Sequence, residues 1–86
     1  MTEAFAIEIK LTGDKTIHQI NDRIKALAEE FYAAIGNVYY IHGNDTYMIP
    51  MVVPVEHMKI LKSAIKCTQN ECGFFIVNNI VYKKNF

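Results

Sequence analysis

The chain has no tryptophan, one serine, two prolines, two cysteines and four isolated glycines, and its nine cations balance nine anions. Each shortage removes a class of answer. Gly13, Gly36, Gly43 and Gly73 stand too far apart to build a phosphate-cradling loop, which argues against nucleotide hydrolysis. Ser63 has no nucleophile-elbow sequence around it, so acyl transfer by serine is equally unexpected. Cys67 and Cys72 are too few to staple a small fold and are expected as free thiols in a reducing compartment. No apolar run nears the roughly 18 residues of a membrane span, and Glu3 stands where a secretory signal would carry basic residues. These features predict a cytoplasmic protein without a membrane partner. Zero net charge leaves no basic footprint for a nucleic acid.

What the chain does have is hydrophobic periodicity. Phe5, Ile7, Ile9 and Leu11 alternate with Ala4, Ala6, Glu8 and Lys10, the period of two of a half-buried strand. Thr16 with Gln19 three places on forms a capping box, so a helix is expected from Ile17. Its stripe, Ile17, Ile20, Ile24, Leu27, Ala28, Phe31 and Ile35, runs about five turns to a stop at Gly36. Val38 to His42 and Thr46 to Val53 read as two strands of a hairpin around Gly43-Asn44-Asp45. Pro50 is expected at a strand end, bulge or edge, and Pro54 at the first position of a second helix with Glu56 near its positive end. Met58, Leu61, Ala64 and Ile65 supply that helix's buried stripe. Phe74 to Val77 and Ile80 to Lys83 form either one strand or, if Asn78-Asn79 turns, a hairpin with an extra C-terminal strand.

Strand, helix, strand, strand, helix, strand within 86 residues is the order of a ferredoxin-like βαββαβ sandwich. The expectation is one α+β domain, residues 1–86, with an antiparallel sheet and both helices on one face. The second face then has no helix to cover it. In the hairpin both faces are apolar, and patches much above a few hundred Å² usually mark contact sites. A protein partner or a second copy is therefore expected there, with Tyr39, Tyr40, His42, Asn44, Asp45 and Tyr47 as the binding residues. Charge is polarised as well. Residues 1–55 hold four cations against seven anions, and residues 56–86 five lysines against Glu56 and Glu71. Lys59, Lys62 and Lys66 recur on one side of the second helix as an electrostatic surface able to steer a charged partner.

The chemistry is otherwise sparse. Cys67, Cys72, His42 and His57 have poor spacing for a metal site, so neither metal nor cofactor is expected. Glu29 and Glu30 point about 100° apart on a helix and make no catalytic pair. Asp45 beside His42 is the one local acid and imidazole pairing, better explained by turn formation. The layout from a strand ending at Leu11, through the Gly13-Asp14 turn and a long helix, to Gly36-Asn37-Val38 resembles the opening of amino-acid-sensing ACT domains over about 38 residues. It lacks the Pro-Gly that commonly opens that helix. The resemblance implies a small-molecule-sensing domain with ligand near the first strand-helix turn. Cys72-Gly73-Phe74-Phe75-Ile76-Val77 resembles the aromatic strand of RNA-recognition domains, but no Lys or Arg precedes Gly73 and the run lies in the last strand. The expectation is a non-enzymatic interaction module, an inhibitor or adaptor, of the kind a phage accessory protein acting on a host complex would be, since Ile, Lys, Asn and Tyr are what AT-rich coding sequence supplies.

Overall fold

A computed structural model describes the backbone of residues 1–82 and the side chains of residues 1–80. In chain order the elements are β1 (Thr2–Leu11), α1 (Ile17–Glu30), β2 (Ala34–Ile35), β3 (Tyr39–Ile41), β4 (Thr46–Pro54), α2 (Val55–Cys72) and β5 (Phe74–Tyr82). The mixed α+β class is as expected. Five antiparallel strands lie in the order β2-β4-β1-β5, with β3 also pairing β4. The second strand of the expected six-element order is thus two short pieces on the same edge.

β1 lies between β4 and β5 and pairs with both along most of its length. Its odd-numbered residues Phe5, Ile7 and Ile9 join Ile49, Met51 and Val53 of β4 in one buried layer, closed by Ile20 and Ile24 of α1, Leu61 and Ile65 of α2, and Phe74. Burying large aliphatic and aromatic side chains at about 1.5–3 kcal/mol each is what holds the helices on this face.

The capping box at Thr16 and Gln19 is present, but α1 ends at Glu30 and not at Gly36. Phe31 is the cap. Tyr32 turns left-handed at φ 60°, its N–H donating to the Glu29 carbonyl while the Ala33 N–H reaches Ala28. That is a Schellman stop with tyrosine in the place glycine usually takes. Ile35 still packs on the core, from β2 rather than from a last helical turn.

Pro50 stands inside β4, not at its end, opposite Ala6 of β1. Its carbonyl accepts from the Gly36 N–H on the outer side. The N–H it lacks would point to that same side, between the β3 pairing at Thr46 to Met48 and the β2 pairing at Met51 and Val52, so no ladder bond is lost. Pro54 is the residue preceding α2 rather than its first. The C-terminal segment is one strand, with no turn at Asn78-Asn79. Its register slips between Glu8 and Ile9, whose partners are Asn78 and Ile76, which leaves Val77 as a bulge. The expected strand end at Lys83 lies outside the described residues.

α2 stops at Gly73, left-handed at φ 81°. The Gly73 carbonyl takes the N–H groups of Thr12 and Gly13, and a Cβ at 73 would meet Gly13 backbone at 3.3 Å. Gly73→Ala is therefore expected to destabilise by about 1–2 kcal/mol. A lower urea midpoint with unchanged slope is the result to look for, and an unchanged midpoint would refute it.

Candidate functional site

Because paired residues in a ladder share a face, the register places Ala4, Ala6, Glu8 and Lys10 of β1 on the sheet face away from the helices. Thr46, Met48, Pro50 and Val52 of β4 lie beside them, with Tyr39 and Ile41 of β3 beyond. Phe75, Asn78 and Ile80 of β5 lie on the other flank. Neither helix covers this face. Tyr39, Val52 and Phe75 stand out of it, 48%, 39% and 43% exposed. Among the described strand residues on this face, Glu8 and Lys10 are the only charged ones.

Glu8 is 6% exposed, and it was not among the binding residues expected from the sequence. The Thr46 hydroxyl donates to its Oε2 at 2.6 Å and the Asn44 amide to the same oxygen at 3.3 Å. Both donors are neutral. An anion held in an apolar face by neutral groups is costly unless a further partner compensates it. A signal for Glu8 was present in the alternation itself: its same-face neighbours along β1 include Ala4 and Ala6, not a solvated polar row.

The hairpin residues do not form one patch. Tyr39 belongs to the face away from the helices, and Asn44 leans onto that side through Glu8. Tyr40 and Tyr47 pair across β3 and β4 on the helix side, ring centroids 5.0 Å apart, and His42 meets the Tyr40 ring edge-on at 4.8 Å. Asp45, not Gly43, takes the positive φ of the turn and accepts a hydrogen bond from the Tyr40 hydroxyl. That bond, and then desolvation, raise the Tyr40 hydroxyl above the ordinary tyrosine value of 10.0, because ionisation would place a phenolate beside the carboxylate. Tyr40 holds its proton more tightly folded than unfolded, so any stability from the bond is present below pH 10 and lost as pH rises through the raised value. Asp45→Asn is expected to move one tyrosine titration back toward 10.0, read by tyrosinate absorbance. Superimposable curves would refute the contact.

The helix layer presents Lys59 and Lys66 to solvent, while Lys62 is half-buried with its ammonium 5.3 Å from the centre of the Phe5 ring. The lysines are therefore not a uniform charged row. Arg23 of α1 and Glu71 of α2 pair at 2.9 Å, both largely exposed, a contact of little energetic weight. Beneath them a groove of about 440 Å³ is lined by Lys15, Gln19, Ile20, Arg23, Glu71 and Cys72. Cys67 is exposed and Cys72 buried. Among the described residues no three His, Cys, Asp or Glu side chains converge, and no helix is long and apolar enough to cross a membrane.

No protein-family model matches the chain, and no curated protein does. Solved structures do match. A structural genomics protein, YJCS, superposes with a TM-score of 0.61 over 99% of this chain and 100% of its own, at 16% identity. At that identity the likeness extends to the fold alone.

Proposed function

We propose that the chain is a small non-enzymatic protein-interaction module, an inhibitor or adaptor, that docks through the sheet face its helices leave bare. The observation that carries this reading is the composition of that face: apolar residues exposed at Tyr39, Val52 and Phe75, with Glu8 and Lys10 the charged ones among its described strand residues. Aromatic side chains with partial exposure are the usual anchors of interfaces, and charges are sparse at interface cores. The hairpin cluster of Tyr40, His42 and Tyr47 lies on the helix side and is not part of this face. A phage accessory role on a host complex is one setting in which such a module would act.

Val52→Asp is expected to weaken partner capture from the native host at least tenfold, because the new carboxylate must be desolvated at the contact. Asp14→Ala, on the exposed turn that leads from β1 to the helix layer, is expected to leave capture unchanged. Equal capture by wild type and a folded Val52→Asp protein would remove the sheet face as the docking surface.

One observation favours a second reading, a ligand-sensing domain resembling ACT domains. The groove between Lys15, Arg23 and Glu71 adjoins the first strand-helix turn and has the size of a small-molecule site. A rise in melting temperature with a free amino acid, abolished by Arg23→Ala, would favour this reading over the first.

A further inference from the structure

Resting on the interaction reading above, we infer that the occupant of the bare sheet face is a second copy of this chain, with the two β1 strands crossing antiparallel near Glu8. Three observations lead there. The first is size. The molecule measures 38 × 27 × 17 Å, so its two longer axes outline a side comparable in size with the ~800 Å² per partner of a standard interface.

The second is charge. Among the described strand residues each copy presents one carboxylate and one lysine on this face, so these groups face each other with no net repulsion, and each has an opposite sign available across the contact. The third is the position of that lysine. Lys10 lies two residues beyond Glu8 on the same side of β1, about 7 Å along the strand, which is within the span of a lysine side chain. A two-fold axis in the plane of the contact, perpendicular to β1 and level with Ile9, reverses the strand in the second copy. The partner's Lys10 then comes within reach of Glu8, and Lys10 reaches the partner's Glu8. The pairing is reciprocal, as an isologous interface requires. It gives the Glu8 carboxylate the cation that Thr46 and Asn44 do not supply.

The test is sedimentation velocity from about 1 to 200 μM, a range that brackets weak self-association. It is combined with zero-length carbodiimide cross-linking of mixed isotope-labelled and unlabelled chains. Wild type is expected to be a dimer with Glu8–Lys10 cross-links joining labelled to unlabelled chains. Lys10→Glu is expected to weaken the dimer about tenfold or more, since it sets carboxylates against carboxylates. Val52→Asp is expected to abolish it, and Phe75→Asp, on the edge strand, carries the same test should Val52→Asp fail to fold by circular dichroism. Ile60→Asp, at an exposed position of α2, is expected to leave the dimer intact.

A wild type that stays monomeric throughout overturns the inference. So does a dimer that survives the sheet-face variants, that is lost in Ile60→Asp, or that yields only cross-links within one chain. A monomer whose captured protein is still released by Val52→Asp would remove the second copy as occupant and leave the interaction reading standing.

Discussion

Phe5→Ala is expected to leave the domain at the edge of unfolding, while Phe75→Ala changes its stability by less than about 0.5 kcal/mol. Both are phenylalanines in alternating apolar runs. Phe5 is fully buried on the helix side of the central strand, opposite Met51, with the Lys62 ammonium over its ring. Phe75 is 43% exposed on the opposite face. Truncating a buried phenylalanine costs about 3–5 kcal/mol, the lost transfer energy plus the cavity left behind. A chain of 86 residues has on the order of 4–13 kcal/mol in total, so that single change removes about a quarter of it or more. Urea unfolding followed by circular dichroism reads the difference directly. Equal midpoints for the two variants would mean that the helices do not pack on the Phe5 face.

Much of the fold is legible in the sequence, because β1, the hairpin and the stripes of both helices rest on periodicity, and periodicity reports burial. It does not report backbone. Phe31 and Ile35 continue the burial rhythm of α1, yet the helix has ended, because Tyr32 adopts a left-handed stop that sequence ascribes to glycine. Pro50 was expected at a strand end, a bulge or an edge for lack of a donor; it sits mid-strand because the neighbouring edge is broken just there, a fact of tertiary pairing that no local rule contains. The choice between strand and hairpin at Asn78-Asn79 was open for the same reason. Pairing of β5 along β1 decided it, with a bulge at Val77 in place of a turn. Alternation divides the hairpin residues between two faces, Tyr40 and His42 on one and Tyr39 on the other, but it gives relative sides, and only the register with β1 says which side holds the helices. Glu8 was missed because a charged residue in an alternating strand reads as solvated.

Thr46→Val is the change expected to expose what Glu8 contributes. Valine keeps the shape of threonine and removes the hydroxyl that donates to Glu8 at 2.6 Å, in a position where threonine is 2% exposed. Hydrogen bonds to charged groups contribute about 1.5–3 kcal/mol, and the carboxylate left behind stays buried with only the longer Asn44 contact. A loss of about 2 kcal/mol follows, on the order of 10 °C in melting temperature for a domain of this size. Asn44→Ala, removing the weaker bond at the exposed tip, is expected to cost about 0.5 kcal/mol. Adding Glu8→Met to Thr46→Val removes the stranded charge as well as its donor, and a buried polar pair replaced by apolar groups of similar volume is often neutral or better. The double variant is therefore expected to recover most of the loss, with a coupling energy above about 1 kcal/mol in the double-mutant cycle. Additive effects would show that the hydroxyl and the carboxylate do not act together. If the double variant is as stable as wild type yet no longer self-associates, stability does not require Glu8, and the buried carboxylate has its role in the contact with Lys10 across the dimer.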